Sequence, residues 1–189
     1  LTAAMLLLAA RWGAEAVGSE VVRDDAGVIR IAAEAALADC DVLVVVGGAS
    51  GGDRDFARPA LAACGLETGF AGVAMRPGKP SWFGRVGRSH VVGLPGNPVA
   101  ALTAARLFLA PLVSALSGRG FDAALGWRAM PAGQPLPPGE DRELLLLSRT
   151  LEGRAELVER QSASAQLPLA SAEMLLRRRA GERWSRLTR

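Results

Sequence analysis

The sequence predicts an α/β fold: a three-layer domain with a mainly parallel sheet over residues 1–118, then a small β-rich domain over residues 119–189. Three observations carry this. Val42-Leu43-Val44-Val45-Val46 is a continuous apolar, largely β-branched run, the pattern of a strand buried on both faces. Helix-like and strand-like segments alternate on either side of it. Past Gly118 the alternation stops, and prolines at 131, 135, 137 and 138 punctuate short apolar stretches.

The elements follow in order. Leu1, Met5, Leu8 and Trp12 recur at helical spacing, and Gly13 stands where such a helix stops. This helix reads as truncated at its front and no initiator methionine precedes it, so the chain is expected to begin inside a longer protein. Glu15–Val22 reads as a short strand. A second helix starts after Arg23-Asp24-Asp25, where acidic caps are favoured, with Val28, Ile31, Ala32, Ala35 and Ala36 marking one face. After the Val42–Val46 strand, Gly47-Gly48-Ala49-Ser50-Gly51-Gly52 leads through Asp53-Arg54-Asp55 into a helix over residues 56–64. Strands are expected over 70–75, 82–86 and 90–93, the last two joined at Gly87-Arg88. Asn97 as cap and Pro98 at the first helical position open a long helix with Val99, Leu102, Ala105, Leu109, Leu112 and Leu116, which Pro111 should kink or divide. Beyond Gly118, Leu144–Leu147, Leu157-Val158 and Met174–Leu176 lie between turn residues such as Glu152-Gly153, the pattern of an open barrel.

Composition excludes several classes. Half of the residues are apolar and 22% are charged, which is neither a disordered nor a fibrous chain. The net charge of +3 is not spread evenly: residues 1–118 carry ten basic and ten acidic side chains, and Arg177–Arg189 alone holds six Arg against one Glu. That tail lacks an aromatic ladder apart from Trp184, so nucleic-acid binding is not expected. Cys40 and Cys64 have no CxxC spacing or neighbouring His; they read as packing residues of a reducing, cytoplasmic compartment. No apolar run reaches the roughly 20 residues that span a bilayer, and Leu1–Ala10 lacks the basic start and cleavage site of a secretory signal. There is no GK[ST] P-loop, GxGxxG, HExxH or Ser-His-Asp pattern, and His90, the sole histidine, reads as structural.

In open parallel sheets ligands bind beyond the carboxyl ends of the strands. Arg23-Asp24-Asp25, the loop 47–55 and Leu94–Pro98 each fall at such a strand-to-helix junction. Glycines in the loop let backbone amides approach an anion. Asp53, Asp55 and Asp24 place carboxylates beside it, where a magnesium ion shared with phosphate is usually held. Arg76-Pro77-Gly78-Lys79-Pro80 is a turn with two cations, one of them the chain's only lysine, and Leu94-Pro95-Gly96-Asn97-Pro98 presents free amides at a helix start. Structural roles stay open at each point. Asp24, Asp25, Asp55 and Asn97 are all natural helix caps, the glycine loop a plain turn, and Lys79 a solvated charge.

These motifs, Gly47-Gly48-Ala49-Ser50-Gly51-Gly52-Asp53-Arg54-Asp55, Met75-Arg76-Pro77-Gly78-Lys79-Pro80 and Gly93-Leu94-Pro95-Gly96-Asn97-Pro98-Val99, in this order, resemble the MoeA family of molybdopterin molybdenumtransferases, related to the C-terminal domain of gephyrin. The likeness covers residues 1–118 and continues more weakly to Arg160-Gln161-Ser162. It implies a MogA-like molybdopterin-binding domain acting in molybdenum cofactor biosynthesis, in which molybdenum from molybdate is inserted into adenylylated molybdopterin and AMP is released with Mg2+. It further implies Asp24 and Asp55 as catalytic, metal-holding carboxylates, with Pro95, Pro98 and Lys79 as functional positions. Gly47, Gly48, Ser50, Gly52, Asp53, Arg76, Pro77, Gly78, Gly96 and Asn97 complete the expected substrate-binding set. A homodimer and a MogA-type adenylyltransferase partner are implied as well, with neither nucleic acid nor membrane. This chain departs from the family's usual GGVSVGD at Ala49 and Gly51, has Gly72 where many members place a lysine, and has Arg76 in place of another. The family carries two further domains ahead of this one that complete its site, so these residues alone are expected to turn over weakly or not at all. The alternative is a non-catalytic molybdopterin-binding or scaffold protein that keeps the fold.

Overall fold

The computed structural model describes residues 1–48, 56–138, 140–159, 161–162 and 166–181, Gln166 by its backbone only. Helix α1, Thr2–Trp12, ends on Gly13 at φ 99, and the N–H groups of Gly13 and Ala14 close on the carbonyls of Ala10 and Ala9. The Glu15–Val22 segment, expected as a strand, makes no sheet pairing, and Val17 and Val21 are exposed. Among the described residues no strand offers it a partner.

Helix α2, Ala26–Asp39, begins at Asp25, whose Oδ1 accepts from the Val28 N–H at 2.9 Å. Its buried face is not the expected one: Ala33 is buried with Leu37 beside it, whereas Val28 and Ile31 are exposed. The helix is apolar almost all round, so spacing alone marks more than one stripe. The short Cys40-Asp41 link to the next strand selects which stripe faces the sheet.

The first sheet has the order β1-β5-β4-β2, from β1 Val42–Val46, β2 Glu67–Ala71, β4 Trp82–Val86 and β5 Ser89–Leu94. Only β1 and β5 are parallel; β4 is antiparallel to both β5 and β2, so the sheet is mixed. A two-residue connection at Gly87-Arg88 forces this, since parallel neighbours need a long crossover. β1 lies at the edge and is half-buried rather than covered on both faces. The strand expected over 70–75 splits, and its second piece, β3 Met75–Arg76, joins another sheet.

Helices cover both faces. On one, Met5 of α1 and Ala101, Leu109 and Leu112 of the long helix pack on Val92 and Leu94. On the other, α2 and α3, Ala57–Ala63, bring Ala33 and Leu61 against Val91 and Trp82. Cys40 and Cys64 end α2 and α3 and are free thiols, both pushed above the usual thiol range, chiefly by burial.

The long helix comprises α4, Pro98–Ala104, a π turn, Ala105–Leu109, and α5, Ala110–Leu116. Pro111 therefore neither divides nor stops it. Proline removes one helical N–H and crowds the preceding turn, and the wider π turn just ahead of it makes room for both. At 19 residues this helix is long and apolar enough to span a bilayer, contrary to expectation, but 67% of it is buried inside the fold as a core helix.

In the second sheet β6, Glu143–Leu151, pairs parallel with β3 and antiparallel with β7, Arg154–Leu157, and β8, Met174–Arg178. Glu152 and Gly153, at φ 49 and 76, form the tight β6–β7 turn. Helix α6, Gln166–Ala170, precedes β8. The expected barrel is an open four-stranded sheet among the described residues: β3 and β7 share one edge of β6 and β8 takes the other, leaving β7 and β8 unjoined.

Candidate functional site

Register places the expected site segments at one end of the first sheet. Val46 of β1 aligns with Leu94 of β5, so Gly47 and Pro95 leave their strands side by side. The Gly47 N–H donates to the Leu94 carbonyl at 3.0 Å, and the Cα of Gly47 would lie 3.6 Å from a Cβ on Gly96. Gly47 and Gly48 adopt φ 90 and 61, left-handed values that turn the chain sharply off β1 and that glycine takes without strain. Trp82 at the start of β4 aligns with Gly93 and with Ala71 at the end of β2. The turn ahead of Trp82 and the chain after Ala71 thus emerge at this same end.

The turn is held by its own backbone. Val73 N–H donates to the Lys79 carbonyl and Gly72 N–H to that of Ser81, both at 2.9 Å, while the buried Ser81 hydroxyl donates to the Gly78 carbonyl at 2.7 Å. Lys79 is exposed, Gly78 is buried against Met75, and the Arg76–Pro77 peptide is cis. Gly72 sits at φ 87, so the lysine that resemblance would place there meets a backbone shape unfavourable to any side chain.

Pro95 is buried, whereas Gly96 and Asn97 are exposed at the head of α4. Asn97 is the cap residue by position, with its carbonyl accepting from the Ala101 N–H at 2.8 Å, but its side chain makes no capping bond. The first amides of the helix are thus left without a side-chain cap, an arrangement suited to an anion.

Of the two expected carboxylates, Asp24 is exposed just ahead of α2. The short link from α2 to β1 makes the helix run antiparallel to the strand, which brings its start toward the strand's carboxyl end. Asp25 is spent on the Val28 cap. Asp55, together with Ser50, Gly52 and Asp53, lies outside the described residues. Among the described residues no three His, Cys, Asp or Glu side chains gather as a metal site. Magnesium binds through one or two carboxylates and keeps several waters, so an exposed Asp24 fits that donor chemistry.

Arg76 differs from expectation in one respect: it is already engaged. Its guanidinium donates to Glu140 at 2.9 Å, and Glu140 also accepts from Arg142 Nε at 2.8 Å. The Arg142 hydrogen bond, then the charges of both arginines, hold the Glu140 carboxyl below its usual range. Sequence reading missed Glu140 and Arg142. Their only signal is the charged Glu140-Asp141-Arg142 run, which does not name Arg76 as partner.

Other residues weighed from sequence have structural places. His90 stacks on Phe83 with centroids 5.8 Å apart, and Phe83 packs against the core formed with the long helix. Arg177 donates to Glu143 and lies 5.3 Å over the Trp127 ring, while 182–189 of the basic tail lie outside the described residues.

Residues 2–115 match the family described as a probable molybdopterin binding domain. The molybdopterin molybdenumtransferase of Haemophilus influenzae is 38% identical over 85 residues, 45% of this chain and 21% of that protein. The molybdopterin molybdenumtransferase of Nostoc sp. is 33% identical over 127 residues, 66% of this chain and 28% of that protein. The matched stretches therefore cover between a fifth and a third of the length of these relatives. The solved molybdopterin biosynthesis MoeA protein from Pyrococcus horikosii has the same fold, with a TM-score of 0.73 at 24% identity over 94% of this chain and 43% of that one.

Proposed function

Because the chain belongs to the molybdopterin-binding domain family, we propose that it is the substrate-binding part of a molybdopterin molybdenumtransferase acting in molybdenum cofactor biosynthesis. The observation that carries this reading is the meeting of Gly47, Gly96 and the Lys79 turn at one end of one sheet, since an adenylylated molybdopterin offers a diphosphate to such a crevice. In this reading Lys79 and Arg76 bind phosphate oxygens by charge, and the amides of Gly48 and the α4 start bind them by aimed dipoles. Pro95 and Pro98 keep the α4 entry stiff, so those amides do not reorganise when the anion arrives.

Asp24 and Asp55 would hold Mg2+, which neutralises phosphate charge as AMP leaves and molybdenum from molybdate enters the dithiolene. Residues 1–118 would form the binding domain and 119–189 a second domain. A homodimer, a MogA-type adenylyltransferase partner and a cytoplasmic setting go with the reading. The matched stretches cover only 21% and 28% of these relatives, so turnover by these residues alone is expected to be low.

Isothermal titration with adenylylated molybdopterin checks the site. Asp24→Asn and Lys79→Met should each weaken binding about tenfold, the scale of one lost charged contact. Variants that bind like wild type would remove those residues from the site.

A second reading, a molybdopterin-binding protein without turnover, is favoured by Gly72, whose left-handed backbone offers no extra ammonium. Restoration of molybdoenzyme activity in a strain lacking the transferase would rule it out.

A further inference from the structure

The Lys79 turn belongs to two sheets at once. Its first arm, Met75-Arg76, pairs in parallel with Glu143 and Leu144 of the second sheet, and the Glu143 N–H donates to the Ala74 carbonyl at 2.9 Å. Its second arm runs through Ser81 into Trp82 of the first sheet. Glu140, just ahead of β6, reaches back over this junction to Arg76. It is itself held twice, by Arg142 Nε at 2.8 Å and by its carbonyl, which accepts the Gly181 N–H at 3.1 Å.

An arginine on an exposed turn samples many rotamers, and ordering it costs entropy when an anion binds. A fixed carboxylate removes part of that cost beforehand. A guanidinium has five N–H donors, and the Glu140 contact employs one of its nitrogens, Nη1. The other donors stay available, and Arg76 is 63% exposed.

We propose that Glu140 is a positioning residue for phosphate recognition: clamped by Arg142, it holds the Arg76 guanidinium ready beside Lys79, so that the second sheet sets the affinity of the first sheet's turn for a diphosphate. This rests on the reading of the turn as a phosphate contact, and it assigns the second sheet a part in ligand binding through a pair 64 residues apart in sequence.

The test is isothermal titration of the full chain with inorganic pyrophosphate. Glu140→Ala should weaken binding about two- to fivefold, the range that an exposed ion pair supports. Glu140→Gln, which keeps an oxygen to accept from Arg76, should restore most of it. In an Arg76→Met background, Glu140→Ala should have no further effect. Tighter binding by Glu140→Ala would overturn the proposal, because the carboxylate would then act only by repelling the anion. Equal weakening with and without Arg76 would also overturn it, as a general structural loss. If Arg76→Met and Lys79→Met weaken binding while both Glu140 variants match wild type, the phosphate reading stands and the role of Glu140 falls. If the wild-type chain takes up no pyrophosphate, the phosphate reading fails and carries the proposal down with it.

Discussion

Trp82 is fully buried with its ring across the Cα of Gly93, and a Cβ at that position would fall within the ring. This pair packs one residue below the point where β5 turns into Leu94-Pro95-Gly96, so the shape of the crevice floor depends on it. Gly93→Ala should destabilise the protein by about 1–3 kcal/mol, the usual cost of forcing extra volume into a packed core. Urea unfolding measures it, and Trp82→Phe in the same background should recover part of the loss because the smaller ring yields space. An unchanged midpoint for Gly93→Ala would show that the ring moves aside freely. The glycine's role was not readable from sequence, where Gly93 looks like the end of a strand; only the partner across the antiparallel pair reveals it.

Local chemistry made some elements legible and left others hidden. Gly13 as a stop, Asp25 as a cap and Asn97-Pro98 as a start act through neighbours within one turn, and the helices begin and end where these residues direct. The adjacent aspartates at α2 differ in what they do for the element. Asp25→Ala should cost about 1 kcal/mol of stability through the lost Val28 bond, whereas Asp24→Ala should stay within about 0.5 kcal/mol. Thermal unfolding of the two variants decides the assignment, and equal losses would mean that Asp24 also supports the helix.

What local chemistry does not contain is partnership. The Glu15–Val22 strand depended on a neighbour that the described sheet does not provide, and the rotation of α2 depended on which of several apolar stripes met β1. The site divides along the same line. Gly47, Gly96 and Lys79 were legible as motifs, because each motif is a short loop whose chemistry is local. The Glu140 contact to Arg76 was not, because it links a turn of one sheet to the approach of another.

At the scale of the molecule one short segment has an arm in each of the two sheets. Met75 is buried and pairs with Glu143, while five residues past Arg76 the chain has reached Ser81 and the start of β4. The turn therefore cannot keep its shape if either sheet opens, since each sheet fixes one of its arms. Hydrogen exchange in native conditions follows from this. The amides of Gly72 and Val73, which bond to the Ser81 and Lys79 carbonyls, should exchange with the less stable of the two sheets rather than with the sheet that β2 belongs to. Amides of β6 from Leu144 to Ser148 report the second sheet, and those of Val91 and Val92 report the first. Exchange of Gly72 and Val73 that follows the first sheet alone, with the β6 amides opening separately, would show that β3 detaches without disturbing the turn. Matched exchange with β6 would mean that ligand affinity at Lys79 is linked to the stability of a sheet whose central strand begins more than sixty residues later, because both draw on the same opening equilibrium.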